Sequence, residues 1–142
     1  MSESVKVDIS VRIDIENGGW VILQAPDPEV FENTAKSSAT KGKKGMELVQ
    51  AIIENANVKS AAFYNKDGRL HDAPDGTPAK QDWDEQGQLI HAAHYRGGRL
   101  KDALDGTPAV RNWNEQGKLI SAVHYPDDHP PVMASRFKRN FI

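Results

Sequence analysis

The stretch DGTPAKQDWDEQGQLIHAAHY, residues Asp75–Tyr95, returns thirty residues later as DGTPAVRNWNEQGKLISAVHY, residues Asp105–Tyr125. When the longer segments Lys66–Tyr95 and Arg96–Tyr125 are aligned, 19 of 30 positions are identical. SAAFY at Ser60–Tyr64 also matches the closing SAVHY of the second copy. Self-similarity at a fixed period indicates a supersecondary unit that stacks on its own copies. The chain therefore contains half a unit followed by two full units.

Each unit has the sequence pattern of one β-hairpin. Gly87 and Gly117 end the four-residue connections DEQG and NEQG, where a type I turn closes on a left-handed residue that favours glycine. The residues after each turn alternate between two faces of a strand. Pro78 and Pro108 have no N–H for a ladder, so we expect them at strand starts or edges. Residues 58–125 are predicted to form a repeated antiparallel β-hairpin meander.

The N-terminal region, residues 1–57, is predicted to contain a β-hairpin and a helix. Apolar residues alternate with polar ones from Val5 to Ile15, and Asn-Gly-Gly then supplies a turn before the apolar WVILQ. Asp27 and Pro28 favour a short helical turn, and apolar residues at helical spacing predict a helix from about Met46 to Asn57. The predicted fold class is α+β: this hairpin and helix lead into the meander, and residues 126–142 form a C-terminal tail.

Composition and charge limit the classes of function. The 142-residue chain has a formal net charge of −2 and no cysteine. The absence of cysteine excludes disulfides, thiolate nucleophiles and cysteine-ligated metals. The weak negative charge argues against a general nucleic-acid binder. No apolar run approaches the roughly 20 residues that span a bilayer, and no signal-peptide core is present. We therefore expect a cytoplasmic protein with no membrane partner and no cofactor.

The recurring G-x-L and final Tyr of the units resemble variant MORN repeats. The residues that carry this resemblance are Gly68-Arg69-Leu70, Gly87-Gln88-Leu89, Gly98-Arg99-Leu100, Gly117-Lys118-Leu119, Tyr64, Tyr95 and Tyr125. The resemblance covers roughly residues 58–125, and the longer units with a DGxPA segment are similar to those of uncharacterised bacterial and phage proteins. It implies stacked hairpins and an interaction protein, such as a phage- or mobile-element-encoded, anti-CRISPR-like inhibitor of a bacterial defence complex.

The leading hypothesis is a non-enzymatic protein-binding module, alone or as a homodimer, that docks through one face or edge of the meander. The two tryptophans occupy matching positions, where they form either core pillars of each unit or an exposed aromatic row suited to docking. The two histidines that precede the final tyrosines also match. The candidate partner-binding residues in the meander are Trp83, Trp113, His94, His124, Tyr95 and Tyr125.

The second hypothesis is an anion or nucleic-acid binder. Basic residues precede a predicted helix N-terminus, where free amides attract anions, and others lie in the C-terminal tail. The alternatives are a solvated loop and a tail that caps the open sheet or inserts into a partner. The residues of this hypothesis are Lys41, Lys43, Lys44, Arg136, Phe137, Lys138, Arg139 and Phe141.

The third hypothesis is a small hydrolytic enzyme that uses paired carboxylates. Asp72 with Asp75, and Asp102 with Asp105, are close in sequence. However, one active site needs different groups that converge on one pocket, and a duplicated surface rarely supplies them. Aspartates that cap loop amides explain these residues more simply. We therefore predict no catalytic residue and no metal site.

Overall fold

The computed structural model describes residues 9–25, 27–38, 40–126 and 132–133. Eight strands of the described chain form one antiparallel sheet in the order β1-β2-β3-β4-β5-β8-β9-β10, while β6 and β7 pair separately. The elements in chain order are β1 (Ile9–Asp14), β2 (Trp20–Ala25), α1 (Pro28–Ala35), α2 (Gly45–Asn55), β3 (Ser60–Tyr64), β4 (Lys80–Trp83), β5 (Leu89–Ala93), β6 (Tyr95–Arg96), β7 (Arg99–Leu100), β8 (Val110–Trp113), β9 (Leu119–His124) and β10 (Val132–Met133). The α+β fold class and the hairpin meander are confirmed.

The N-terminal hairpin and the meander belong to the same sheet. β2 pairs with β1 on one side and with β3 on the other, where Val21 lies opposite Phe63 and Leu23 lies opposite Ala61. Gly19 makes this close pairing possible, because a Cβ at that position would lie 2.1 Å from the carbonyl oxygen of Tyr64. The N-terminal region, residues 1–57, and the meander, residues 58–125, therefore contribute strands to one continuous hydrogen-bonded sheet.

The apolar core lies between this sheet and α2. Apolar residues recur on one side of the helix, as its sequence spacing predicts, and they meet the inward residues of β2 and β3. Fully burying one large apolar side chain contributes about 1.5–3 kcal/mol. The largest fully buried side chains are Phe63, Leu23, Val21 and Val49.

The two helices begin in different ways. The carboxylate of Asp27 caps α1 by accepting hydrogen bonds from the amides of Glu29 and Val30. α2 has no cap from its own N-terminal residue, but the amide of Met46 donates to Oε1 of Glu16 at 3.0 Å. Glu16 comes from the β1–β2 turn, so a distant carboxylate occupies the positive end of the helix. Neither helix of the described part has the length and apolar composition to cross a membrane.

Replacing Glu16 with alanine is expected to lower the free energy of unfolding by about 1 kcal/mol, because α2 loses its N-terminal hydrogen-bond acceptor and the favourable charge. Urea unfolding followed by circular dichroism measures the change. Glu54→Ala is the control, since Glu54 is exposed on the same helix and its replacement should stay within about 0.5 kcal/mol. Equal effects of the two substitutions would contradict the capping role.

The hairpin turns of successive units use the same side-chain device. Oδ1 of Asp84, of Asn114 and of Asn65 each accepts hydrogen bonds from the amides two and four residues further on, at 2.9–3.0 Å. Gly87 and Gly117 have positive φ values of 82° and 81°, as the turn predicts. The repeated sequence therefore encodes repeated local geometry.

Candidate functional site

Each repeat histidine is held by an aspartate from the preceding loop. Nδ1 of His94 lies 2.7 Å from Oδ2 of Asp72, and Nδ1 of His124 lies 2.8 Å from Oδ2 of Asp102. Oδ1 of each aspartate accepts two backbone N–H groups at 2.8–3.0 Å, one from the end of its loop and one from the tyrosine after the histidine. We call each arrangement an Asp–His staple, because one carboxylate joins a loop to the end of the following strand.

The two staples differ in exposure. The side chain of His94 is 4% exposed, whereas that of His124 is 32% exposed, because the second unit covers the end of the first. This burial corrects the prediction that His94 contributes to a docking surface. His124 remains partly accessible. Within the residues that the structure describes, no three His, Asp or Glu side chains come together in a group that could hold a metal ion.

The other aspartates of the repeated loops are capping residues. Oδ1 of Asp105 accepts the hydroxyl of Thr107 at 2.7 Å and its amide at 2.9 Å. The hydrogen bond from the Thr107 hydroxyl makes the largest contribution to lowering the pKa of Asp105, and the hydrogen bond from the Thr107 amide makes the next largest. Asp75 makes the same two contacts with Thr77. The carboxylate pairs considered for hydrolysis thus hold loop backbone, which the capping interpretation predicts.

The side chains of the two tryptophans are half-buried. They are therefore neither fully buried core residues nor a fully exposed row of aromatic rings. Trp83 packs against the core beneath α2. Trp113 is not among the described residues that pack on this core, and it lies under the guanidinium of Arg111, 5.2 Å from the ring centroid. Burial lowers the pKa of Arg111, whose Nε has no hydrogen-bond partner among the residues that the structure describes. The two equivalent rings therefore have different surroundings.

A groove of about 1,020 Å³ lies at the glycine-turn end of the meander. We call it the turn groove; it is lined by residues 57–59 and 83–88 together with Glu115 and Gln116. The side chain of Gln88 spans the two turns by donating to the carbonyl oxygen of Glu115 at 3.1 Å. Asp84, Glu85 and Glu115 give the groove an excess of acidic groups, so it suits a basic segment.

Aromatic and arginine side chains gather at the opposite end of the strands. The ring of Trp20 stacks on that of Tyr64, with centroids 5.9 Å apart and planes 20° from parallel. The guanidinium of Arg12 lies 4.2 Å from the Trp20 centroid, within cation–π range. Trp20 and Tyr64 are half-buried, and the side chain of Arg12 is 57% exposed. Three residues from three strands thus form one partly accessible cluster.

The hairpin tips extend this cluster along the repeat. The amide of Gly98 donates to the carbonyl oxygen of Leu70, so the second tip stacks on the first. A Cβ at Gly98 would lie 3.6 Å from the side chain of Arg69, which packs across it. Tyr95 pairs with Leu100 as Tyr64 pairs with Leu70. We call the resulting region the tip surface; it comprises Arg12, Trp20, Tyr64, Arg69, Tyr95 and Arg99.

The remaining predicted residues lie elsewhere. Tyr125 is half-buried after β9, and its amide donates to Asp102. Lys41 and Lys44 are exposed and Lys43 is half-buried, but the nearby amide of Met46 already donates to Glu16. The tail candidates lie outside the described residues; they are Arg136, Phe137, Lys138, Arg139 and Phe141.

Sequence reasoning missed Trp20 and Arg12. Strand alternation could have found the first, because Val21 and Leu23 point to the core and Trp20 must therefore point away from it. The position of Arg12 over this ring depends on the pairing of β1 with β2. The Asp–His staples were also missed, although the same 22-residue spacing occurs in both units.

Comparison with protein-family models, with curated proteins and with solved structures gives no match for this chain. The resemblance to variant MORN repeats therefore stays a prediction made from residues 58–125.

Proposed function

We propose that this chain is a non-enzymatic protein-binding module that docks an acidic surface of its partner through the tip surface. The observation that carries the proposal is the partly accessible cluster of Arg12, Trp20 and Tyr64, which continues into the stacked hairpin tips. Tryptophan, tyrosine and arginine are the residues most enriched among those that dominate protein–protein affinity.

Charge supports an acidic partner. The two tips contain Lys66, Arg69, Arg96 and Arg99 against the single acid Asp67. Arg69 and Arg99 are exposed. Complementary charge speeds association and fixes orientation, while the aromatic rings add contact area. The contacts of the repeat aspartates argue against their use in hydrolysis, because these carboxylates already hold backbone amides.

The finer proposal is an inhibitor, encoded by a phage or mobile element, that blocks a bacterial defence complex in the cytoplasm. Its support is the resemblance of the DGxPA units to phage and bacterial proteins. A regular, rigid surface of modest size suits an inhibitor, because a preorganised binder loses little conformational entropy on docking.

Reversing two exposed charges, Arg69→Glu with Arg99→Glu, is expected to weaken partner binding at least about tenfold, equivalent to about 1.4 kcal/mol. The measurement is affinity capture from nuclease-treated lysate of the source cells, followed by mass spectrometry and titration of the captured protein. Lys118→Glu is the control, since Lys118 is an exposed lysine at the other end of the strands. A partner that binds the double variant as tightly as the original chain would contradict the proposal.

A second candidate, single-stranded nucleic acid, is favoured by the same cluster, because bases stack on aromatic rings and arginine contacts phosphate. Titration of a labelled oligonucleotide over a salt series separates the two. Tight binding that falls steeply with salt and disappears with Trp20→Ala would favour nucleic acid. Absence of oligonucleotide binding, with capture of a protein intact, would favour the protein partner.

A further inference from the structure

The turn groove combines a concave shape, an aromatic wall and an excess of acidic groups. Its volume of about 1,020 Å³ is at the upper end of the range for small-molecule sites, so it has room for more than one side chain. The half-buried ring of Trp83 forms part of the wall. Among the described lining residues, Lys59 is the one basic residue, and the acidic residues are Asp84, Glu85 and Glu115. The groove therefore favours a cationic occupant.

Asp84 carries a negative charge that its turn does not require. Its Oδ1 accepts the amides of Gln86 and Gln88 at 2.9 Å. In the other two turns of this kind, Oδ1 of Asn65 and of Asn114 accepts the equivalent amides at 2.9–3.0 Å. An amide side chain thus builds the turn as well as a carboxylate does. The remaining oxygen of Asp84, Oδ2, is buried and has no hydrogen-bond partner within the part of the chain that the structure describes, which favours a positive charge nearby.

The C-terminal end of α2 adds negative potential beside the groove. The helix ends at Asn55, and the lining of the groove begins two residues later at Asn57. Asn57 has a φ of 53°, the left-handed conformation in which many helices end. The last turn of α2 contains no basic residue, so no side chain of the helix itself offsets the partial negative charge of its last carbonyl groups. This end of the helix therefore also favours a cation.

We propose that the turn groove binds an arginine-bearing segment of a partner protein. A guanidinium group packs on the ring of Trp83 and pairs with the exposed carboxylates of Glu85 and Glu115. Arginine fits better than lysine, because its planar group both stacks on an aromatic ring and makes bidentate contacts with carboxylates. The groove and the tip surface lie at opposite ends of the strands and attract opposite charges, so this site goes beyond the proposed function and does not depend on it.

The probe is a short capped peptide in which arginine alternates with serine, titrated into the isotope-labelled full-length chain. The control peptide has citrulline in place of arginine, which keeps the shape of the side chain and removes its charge. We expect the arginine peptide to bind at least about tenfold more tightly than the citrulline peptide. In NMR spectra, the indole N–H of Trp83 and the amide of Gly87 should shift, whereas the indole N–H of Trp20 at the tip surface should not.

The double variant Asp84→Asn with Glu115→Gln tests the acidic groups of the groove. The turn should still form, because Asn114 builds the same turn in the second unit. We expect the arginine peptide to bind this variant at least about tenfold more weakly. Asp14→Asn with Asp67→Asn is the control, since these exposed acids at the tip end give the same change in net charge, and it should alter the affinity less than about twofold. Urea unfolding verifies that both variants are folded.

Equal weakening by the two double variants would overturn the proposal, because the peptide would then respond only to net charge. Equal affinity of the arginine and citrulline peptides, or binding without a shift at Trp83, would overturn it as well. Analytical ultracentrifugation tests a second copy as the occupant. If the mass rises with concentration, and Asp84→Asn with Glu115→Gln abolishes this rise, the basic hairpin tips of another copy would occupy the groove in place of a partner protein.

Discussion

Replacing Asp72 with alanine is expected to lower the free energy of unfolding by about 3–5 kcal/mol, because partners of one buried network lose their acceptor. Its two oxygens contact Nδ1 of His94 and the amides of Ala79 and Tyr95, at 2.7, 2.9 and 3.0 Å. The substitution leaves these groups without the carboxylate while the second unit still covers His94. Urea unfolding followed by circular dichroism measures the loss.

The second unit supplies a matched control. Asp102 makes the same contacts, but His124 is 32% exposed, so water can replace part of what Asp102→Ala removes. We expect a cost of about 1–2 kcal/mol for this change. Asp72→Asn should fall between the original chain and Asp72→Ala, since its amide oxygen can still accept the two backbone N–H groups.

Asp72→Ala and Asp102→Ala remove matching contacts, so a difference between their costs reports how much the exposure of the histidine matters. If Asp72→Ala and Asp102→Ala cost the same, burial of the staple would not determine its contribution. If both cost less than about 0.5 kcal/mol, the values typical of surface positions, the aspartates would not be structural at all. Each outcome is visible in the same unfolding curves.

The local geometry of this fold could be predicted from its sequence. The turns at Gly87 and Gly117 depend on a few neighbouring residues, and a left-handed glycine fixes them with little help from the rest of the chain. Because the sequence repeats, the same turn geometry recurs in each unit of the meander. Helix α2 was also found, within two residues of its observed ends, because its apolar face is periodic.

Contacts between distant segments could not be predicted in this way. Glu16 caps α2 across 30 residues, and nothing near Met46 in the sequence indicates it. The cluster of Trp20 and Tyr64 depends on which strands become neighbours. The difference between Trp83 and Trp113 depends on whether a core lies beside the repeat, which identical local sequence cannot encode.

Phe63 shows the same dependence on context. Its amide donates to Ala79 as that of His94 donates to Ala109, at 2.7 Å in both cases. Phe63 is therefore the half unit's counterpart of the repeat histidine. The half unit lacks the loop that carries the aspartate in each full unit, and the side chain of Phe63 is fully buried among apolar residues in the core beneath α2.

Phe63→His restores the residue that the full units use, yet it is expected to lower the free energy of unfolding by about 3–4 kcal/mol. The change removes apolar contacts and buries an imidazole that has no hydrogen-bond partner. Phe63→Leu is the control and should cost about 1–1.5 kcal/mol, because it keeps the site apolar and nearly filled. Guanidinium unfolding of both variants measures the difference.

The pH dependence distinguishes an unpaired histidine from a simple loss of packing. A histidine kept neutral in the folded core has a pKa below its unfolded value of about 6.5, so the unfolded chain binds an extra proton below that pH. The additional stability loss of Phe63→His should therefore reach about 2 kcal/mol at about pH 5 relative to about pH 8. Phe63→Leu should show no such extra loss, and parallel pH profiles would mean that the new imidazole reaches water or finds a partner.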